Sequence, residues 1–113
     1  MSLCNNKAYE NHYCKFKRRQ GKFCIRIAGS GSSEGAPCDV IMIDGKTYLV
    51  EVKATKEVCY KPQKIVREQL QRLQQIALSN SVTAFLAIRF KHRGWLELDI
   101  SNEIPKRIEY INT

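Results

Sequence analysis

Two apolar runs, one on each side of Asp44-Gly45, dominate the hydrophobic pattern of this chain. Val40-Ile41-Met42-Ile43 and Tyr48-Leu49-Val50 favour extended backbone, and Asp-Gly tolerates the positive φ of a tight turn. Residues 38–53 therefore predict an antiparallel hairpin. Upstream, Tyr9, Tyr13 and Phe16 recur at helical spacing, which predicts a helix over about 5–20, capped by Asn5 or Asn6 and stopped by Gly21. Phe23 to Ile27 alternates as a strand, with Phe23, Ile25 and Ile27 on one face and Cys24 and Arg26 on the other. Residues 29–37, rich in Gly and Ser, predict a flexible loop. Beyond the hairpin, 54–61 reads as a polar connection. Pro62 opens a helix marked by Ile65, Val66, Leu70, Leu73, Ile76 and Ala77, ending near Ser79. Val82 to Phe90 is a continuous apolar run, the mark of a central strand, and Trp95 to Ile100 alternates as an edge strand does. After Pro105 the pattern predicts a last short strand or a loose tail.

The order helix, strand, strand, strand, helix, strand, strand predicts an α/β fold: a single mixed sheet of about five strands flanked by helices. The strand carrying Glu51 and the Val82 strand, linked through a helix, should be parallel with a right-handed crossover. No repeat and no linker divides the sequence, so 1–113 reads as one domain.

Charge changes this picture. The formal net charge is +8, from 19 Lys+Arg against 11 Asp+Glu, which raises the odds of a polyanionic partner. The first segment holds Lys7, Lys15, Lys17, Arg18, Arg19, Lys22 and Arg26 but a single acid, Glu10. Glu10 lies three residues before Tyr13, beside the apolar stripe, from where it can reach inward. No apolar run is long enough to cross a bilayer and the first residues lack the apolar core of a signal peptide, so an intracellular setting is expected. The five cysteines form no C-x-x-C pair; mostly free, buried thiols are expected, and a Cys14–Cys24 disulfide stays open.

The candidate chemistry sits on the hairpin. Pairing across Asp44-Gly45 returns the far end of the second strand to Asp39, while alternation puts Glu51 and Lys53 on one face and Val50 and Val52 on the other. Two close carboxylates repel unless a cation lies between them, and hard oxygen donors suit Mg²⁺ or Mn²⁺. Spacing alone favours the plainer reading, a solvated face of an ordinary hairpin. Gln69 falls among the apolar positions of the second helix, where a polar group needs a partner. The loop before Asp39 is either a plain linker or a hydroxyl-bearing loop able to close on a phosphate.

Glu10, Arg26, Ser30, Pro37-Cys38-Asp39, Glu51-Val52-Lys53 and Arg67-Glu68-Gln69, in this order, resemble the PD-(D/E)-x-K nuclease superfamily, and within it the archaeal-type Holliday junction resolvases of archaea and their viruses. Asn11 stands where several members carry an arginine. The resemblance covers about Tyr9 to Ile100 and implies a restriction-endonuclease-like core and a single nuclease domain. It implies a homodimeric, Mg²⁺-dependent endonuclease, with Mn²⁺ as substitute, that resolves four-way DNA junctions by paired nicks. For a viral protein the setting would be the host cytoplasm. Glu10, Asp39 and Glu51, with the Val52 carbonyl, would hold the ion. Lys53 would orient or deprotonate the attacking water, Ser30 would touch the scissile phosphate or its neighbour, and Gln69 would complete the catalytic set. Lys15, Arg18, Arg19 and Arg26, with Ser30 and Ser32, would bind DNA without reading sequence. The apolar residues Trp95, Leu70 and Ile76 are candidates for the dimer surface. Two alternatives are a nuclease of the same superfamily acting on duplex or single strands, and a basic DNA-binding module without activity.

Overall fold

The computed structural model describes residues 6–28 and 37–111. Helix α1 (Asn6–Arg19) leads into β1 (Phe23–Arg26), and β2 (Val40–Asp44) turns into β3 (Lys46–Thr55). Then come β4 (Cys59–Tyr60), α2 (Lys64–Ser79), β5 (Thr83–Phe90), β6 (Gly94–Asp99) and β7 (Ile108–Glu109). Five strands form one sheet in the order β1-β2-β3-β5-β6, and β4 pairs with β7 in a separate ribbon.

The hairpin forms as its pattern predicts. Asp44 faces Lys46 across Gly45, whose φ of +75° is the left-handed conformation that favours glycine. Only β3 and β5 run parallel in the main sheet; its other neighbours are antiparallel.

The two helices cover opposite faces. Successive residues of β3 alternate between them: Leu49 joins the cluster of Leu70, Leu73 and Ala77 from α2 with Leu86, Ile88 and Phe90 from β5. Val50 and Val52 join Tyr13 and Cys14 of α1, Cys24, Val40, Met42 and Ala87. The α1 face is tied further by polar groups: buried Lys17 pairs with Glu97 at 2.9 Å, and the Tyr13 hydroxyl donates to the same carboxylate at 2.6 Å.

The packing decides three points that the pattern leaves open. In β1 the inward residue is Cys24, while Phe23 (53% exposed) and Ile25 (41%) face solvent. This strand is an edge covered by α1 alone, because α2 packs over β3 and β5. The chain after Pro105 is no loose tail: Ile104 and Ile108 are buried, β7 pairs with β4, and Arg67 donates to the carbonyls of Ile104 and Pro105 at 3.0 and 3.1 Å. Leu70 is fully buried and so supplies no docking surface, while Trp95 is half-buried, stacked on Phe16 and edge-on to Tyr13.

Candidate active site

Asp39 is fixed by backbone on two sides. It continues the ladder past the start of β2: its N–H donates to the Val50 carbonyl (3.0 Å) and its carbonyl accepts from Ile27 N–H (2.9 Å). Its carboxylate Oδ2 accepts the Val52 N–H at 2.9 Å, and the residue is only 8% exposed. The carboxylate is therefore anchored to the backbone immediately beside Glu51.

Glu51 and Lys53 share the α2 side of β3. Lys53 Nζ lies 3.4 Å from Glu51 Oε2 and 3.2 Å from Gln69 Oε1. Gln69 thus finds its partner, but at an exposed position on α2 rather than a buried one. Glu10 reaches inward from α1, is 4% exposed, and takes Arg26 Nε at 2.9 Å on its Oε1. Arg26 is brought there by the Cys24–Arg26 alternation that turns both side chains of β1 toward α1.

These charges act on one another. Burial first, and then the Asp39 charge, push the Glu10 carboxyl up to about 7 against the pull of Arg26. The same two causes push Glu51 up to about 8 against Lys53. Asp39 therefore stands between two acids that it drives toward protonation. Tyr60, near Glu51, has its phenol pushed up to about 12, by burial first and then by that charge.

The donor set fits a hard divalent cation, because such an ion relieves the repulsion that pushes Glu10 and Glu51 toward protonation beside Asp39. Among the described residues no three His, Cys, Asp or Glu side chains converge closely enough to form a closed cage for an ion. Arg26 engages Glu10 and Lys53 engages Glu51 instead.

A family model described as archaeal Holliday junction resolvase (hjc) matches residues 4–111. The chain belongs to the archaeal Holliday junction resolvase family. A curated relative, crossover junction endodeoxyribonuclease Hjc of Archaeoglobus fulgidus, is 33% identical over 79 residues, which are 68% of this chain and 55% of that protein. The aligned part thus spans about half of the curated relative's length. The solved structure of Archaeoglobus fulgidus Hjc, a Holliday junction resolvase from an archaeal hyperthermophile, superposes with a TM-score of 0.70 at 25% identity, covering 90% of this chain and 85% of that one. The five-stranded mixed sheet between two helices is the restriction-endonuclease-like fold of this resolvase family.

Among the resolvase-type candidates, Glu10, Asp39, Glu51, Lys53, Gln69 and Arg26 come together around the β2–β3 ladder. Lys15, Arg18 and Arg19 lie exposed along α1, and Arg18 Nε also donates to the Cys24 carbonyl at 2.9 Å. Ser30 and Ser32 fall outside the described residues. The sequence does not point to Tyr60 or to the structural role of Arg67. The sequence marks Arg67 only by its place before Glu68-Gln69, and Tyr60 by nothing, since its approach to Glu51 depends on the β4–β7 ribbon. Lys17, one of the cations of the basic first segment, is buried against Glu97 rather than free for DNA.

Proposed function

We propose that this chain is a metal-dependent endonuclease that resolves four-way DNA junctions. The observation that carries the reading is the charge-coupled series Glu10, Asp39 and Glu51 with Lys53 beside it, in a chain of this family. Glu10, Asp39 and Glu51, with the Val52 carbonyl, would hold Mg²⁺, for which Mn²⁺ would substitute. When bound, such an ion supplies a water of lowered pKa and neutralises charge on the phosphate.

The protein's own groups do the positioning. The Val52 amide fixes Asp39, so one carboxylate keeps its place without substrate. Gln69 and Glu51 together aim the Lys53 ammonium, a donor that orients the attacking water and offsets charge on the phosphate. Arg26 restrains Glu10 and stands ready to take a phosphate oxygen once that carboxylate is engaged elsewhere. Lys15, Arg18 and Arg19 hold flanking phosphates, and Ser30 and Ser32 are assigned to the phosphate side of the same site.

Paired nicks in opposed strands need two such sites, so a homodimer related by a two-fold axis is part of the proposal. The cross-strand pair Phe23–Ile43, with Ile25, supplies exposed apolar surface for a second copy. Among the described residues no helix is long and apolar enough to cross a membrane, and an enzyme of this kind works on DNA inside the cell, or in the host cytoplasm if viral.

The deciding experiment compares cleavage of a four-way junction with a plain duplex of the same arms. Symmetric nicks in the junction, lost with EDTA, support the reading. Equal cutting of both substrates points to a nuclease of the same superfamily with another substrate, and binding without cutting points to a non-catalytic module.

A further inference from the structure

The mechanism leaves one pair of nucleophiles unused. Cys14 on α1 and Cys24 on β1 are both free and each is 1% exposed. Their sulfurs lie 3.5 Å apart, with the Cys24 thiol donating toward Cys14 Sγ. Both belong to the core cluster beneath α1, so no rearrangement of the fold is needed to bring them face to face. A disulfide requires about 2.05 Å between sulfurs, and the remaining ~1.5 Å is within reach of small side-chain rotations.

We propose that Cys14 and Cys24 form a site of two-electron oxidation, closing with hydrogen peroxide to a disulfide that ties α1 to β1. The Cys14 sulfur attacks one peroxide oxygen, the O–O bond breaks, and the departing hydroxide takes up the thiol proton as water. The Cys24 sulfur then attacks the Cys14 sulfenic acid, the S–O bond breaks, and a second water leaves with the Cys24 proton. The balance is two thiols and one peroxide to one disulfide and two waters. Cys14 acts first because the thiol of Cys24 donates to it and Arg18 stands nearby, both of which favour its thiolate. Burial confines the reaction to a small neutral oxidant and keeps larger disulfides out.

The position of the bond gives it a consequence. Cys14 is one helical turn after Glu10, and Cys24 shares its face of β1 with Arg26. A bond between them staples the two elements whose only ion pair, among the described residues, is Glu10–Arg26. The loop it closes is short, residues 14–24, so the stabilisation lies toward the lower end of what disulfides give.

The test uses the full chain, reduced and then exposed to millimolar peroxide, alkylated after unfolding and mapped with trypsin. The expected result is a cross-link between the peptides 8–15 and 23–26, with three of the five cysteines still alkylated. The melting temperature should rise by about 5–10 °C and return on adding dithiothreitol. Five alkylated cysteines after peroxide, or a cross-link joining any other pair, overturns the proposal. Cys14→Ala should abolish the rise, and a rise that persists in it also overturns the proposal. The mapping is done on the unmutated chain, so it decides the matter even if that variant folds poorly. It is independent of nuclease activity.

Discussion

The backbone amide of Val52 donates to the carboxylate of Asp39 across 2.9 Å. This bond makes one acid of the site part of the sheet as well as of the chemistry, and it separates the effects of two substitutions. Asp39→Asn keeps an oxygen acceptor for the amide, so it should lose cleavage while keeping its fold, and DNA affinity should hold or rise with the removal of negative charge. Asp39→Ala leaves the buried Val52 N–H unpaired and should also lose about 1–3 kcal/mol of stability. Urea unfolding beside a cleavage assay checks both.

Glu51 and Glu10 predict a pH dependence of stability in the absence of divalent metal. Both folded carboxyls, at about 8 and about 7, lie above the ordinary glutamate value of 4.5. Between those values the folded chain holds protons that the unfolded chain has released, so stability falls as pH rises from about 4.5 through about 8. Denaturant unfolding at several pH values should show this decline. Glu51→Gln should flatten it, and added Mg²⁺ should lessen it at the alkaline end. A metal-free chain whose stability climbs across this range, with Glu51→Gln climbing identically, would count against the coupling described.

Lys53 is held from two sides, which ranks two variants. Lys53→Ala should lower cleavage by about 10²–10⁴-fold with binding retained, as expected for a positioned group acting on the reacting centre. Gln69→Ala removes one of the two holds on that ammonium and should cost roughly tenfold, the worth of one hydrogen bond. Single-turnover rates on a junction measure both. Wild-type rates for Lys53→Ala would remove this lysine from the mechanism.

Glu10 should matter to metal-dependent activity more than to folding. It is a buried acid whose protonation is favoured by its surroundings, so replacing it by neutral Gln costs the fold little near pH 7 while removing a ligand. Glu10→Gln should therefore cleave poorly yet melt within a few degrees of wild type.

Lys15 and Arg19 are exposed on α1 and predict the salt response. Affinity for a junction should fall steeply with salt, and each alanine replacement should reduce the slope of log affinity against log salt by about one. Filter binding across a salt series tests it.

Chain-local rules were enough for much of this protein. The apolar runs around Asp44-Gly45 determine the hairpin, and the hairpin determines that Asp39 returns to the Glu51 end of its partner strand. The helical spacing of Tyr9, Tyr13 and Phe16 puts Glu10 at the edge of a buried stripe, and Glu10 is indeed buried. The β-helix-β order determines the parallel pairing of β3 with β5. Periodicity, however, records that a strand has two faces and not which face will be covered. Only the placement of the helices decided that Cys24 rather than Phe23 is inside, that Leu70 is consumed by the core, and that Lys17 is buried against Glu97. Only the tertiary fold brings Arg26 to Glu10, Gln69 to Lys53 and Cys14 to Cys24, because each pair joins different elements, and its distance depends on how helix and sheet pack rather than on spacing along the chain.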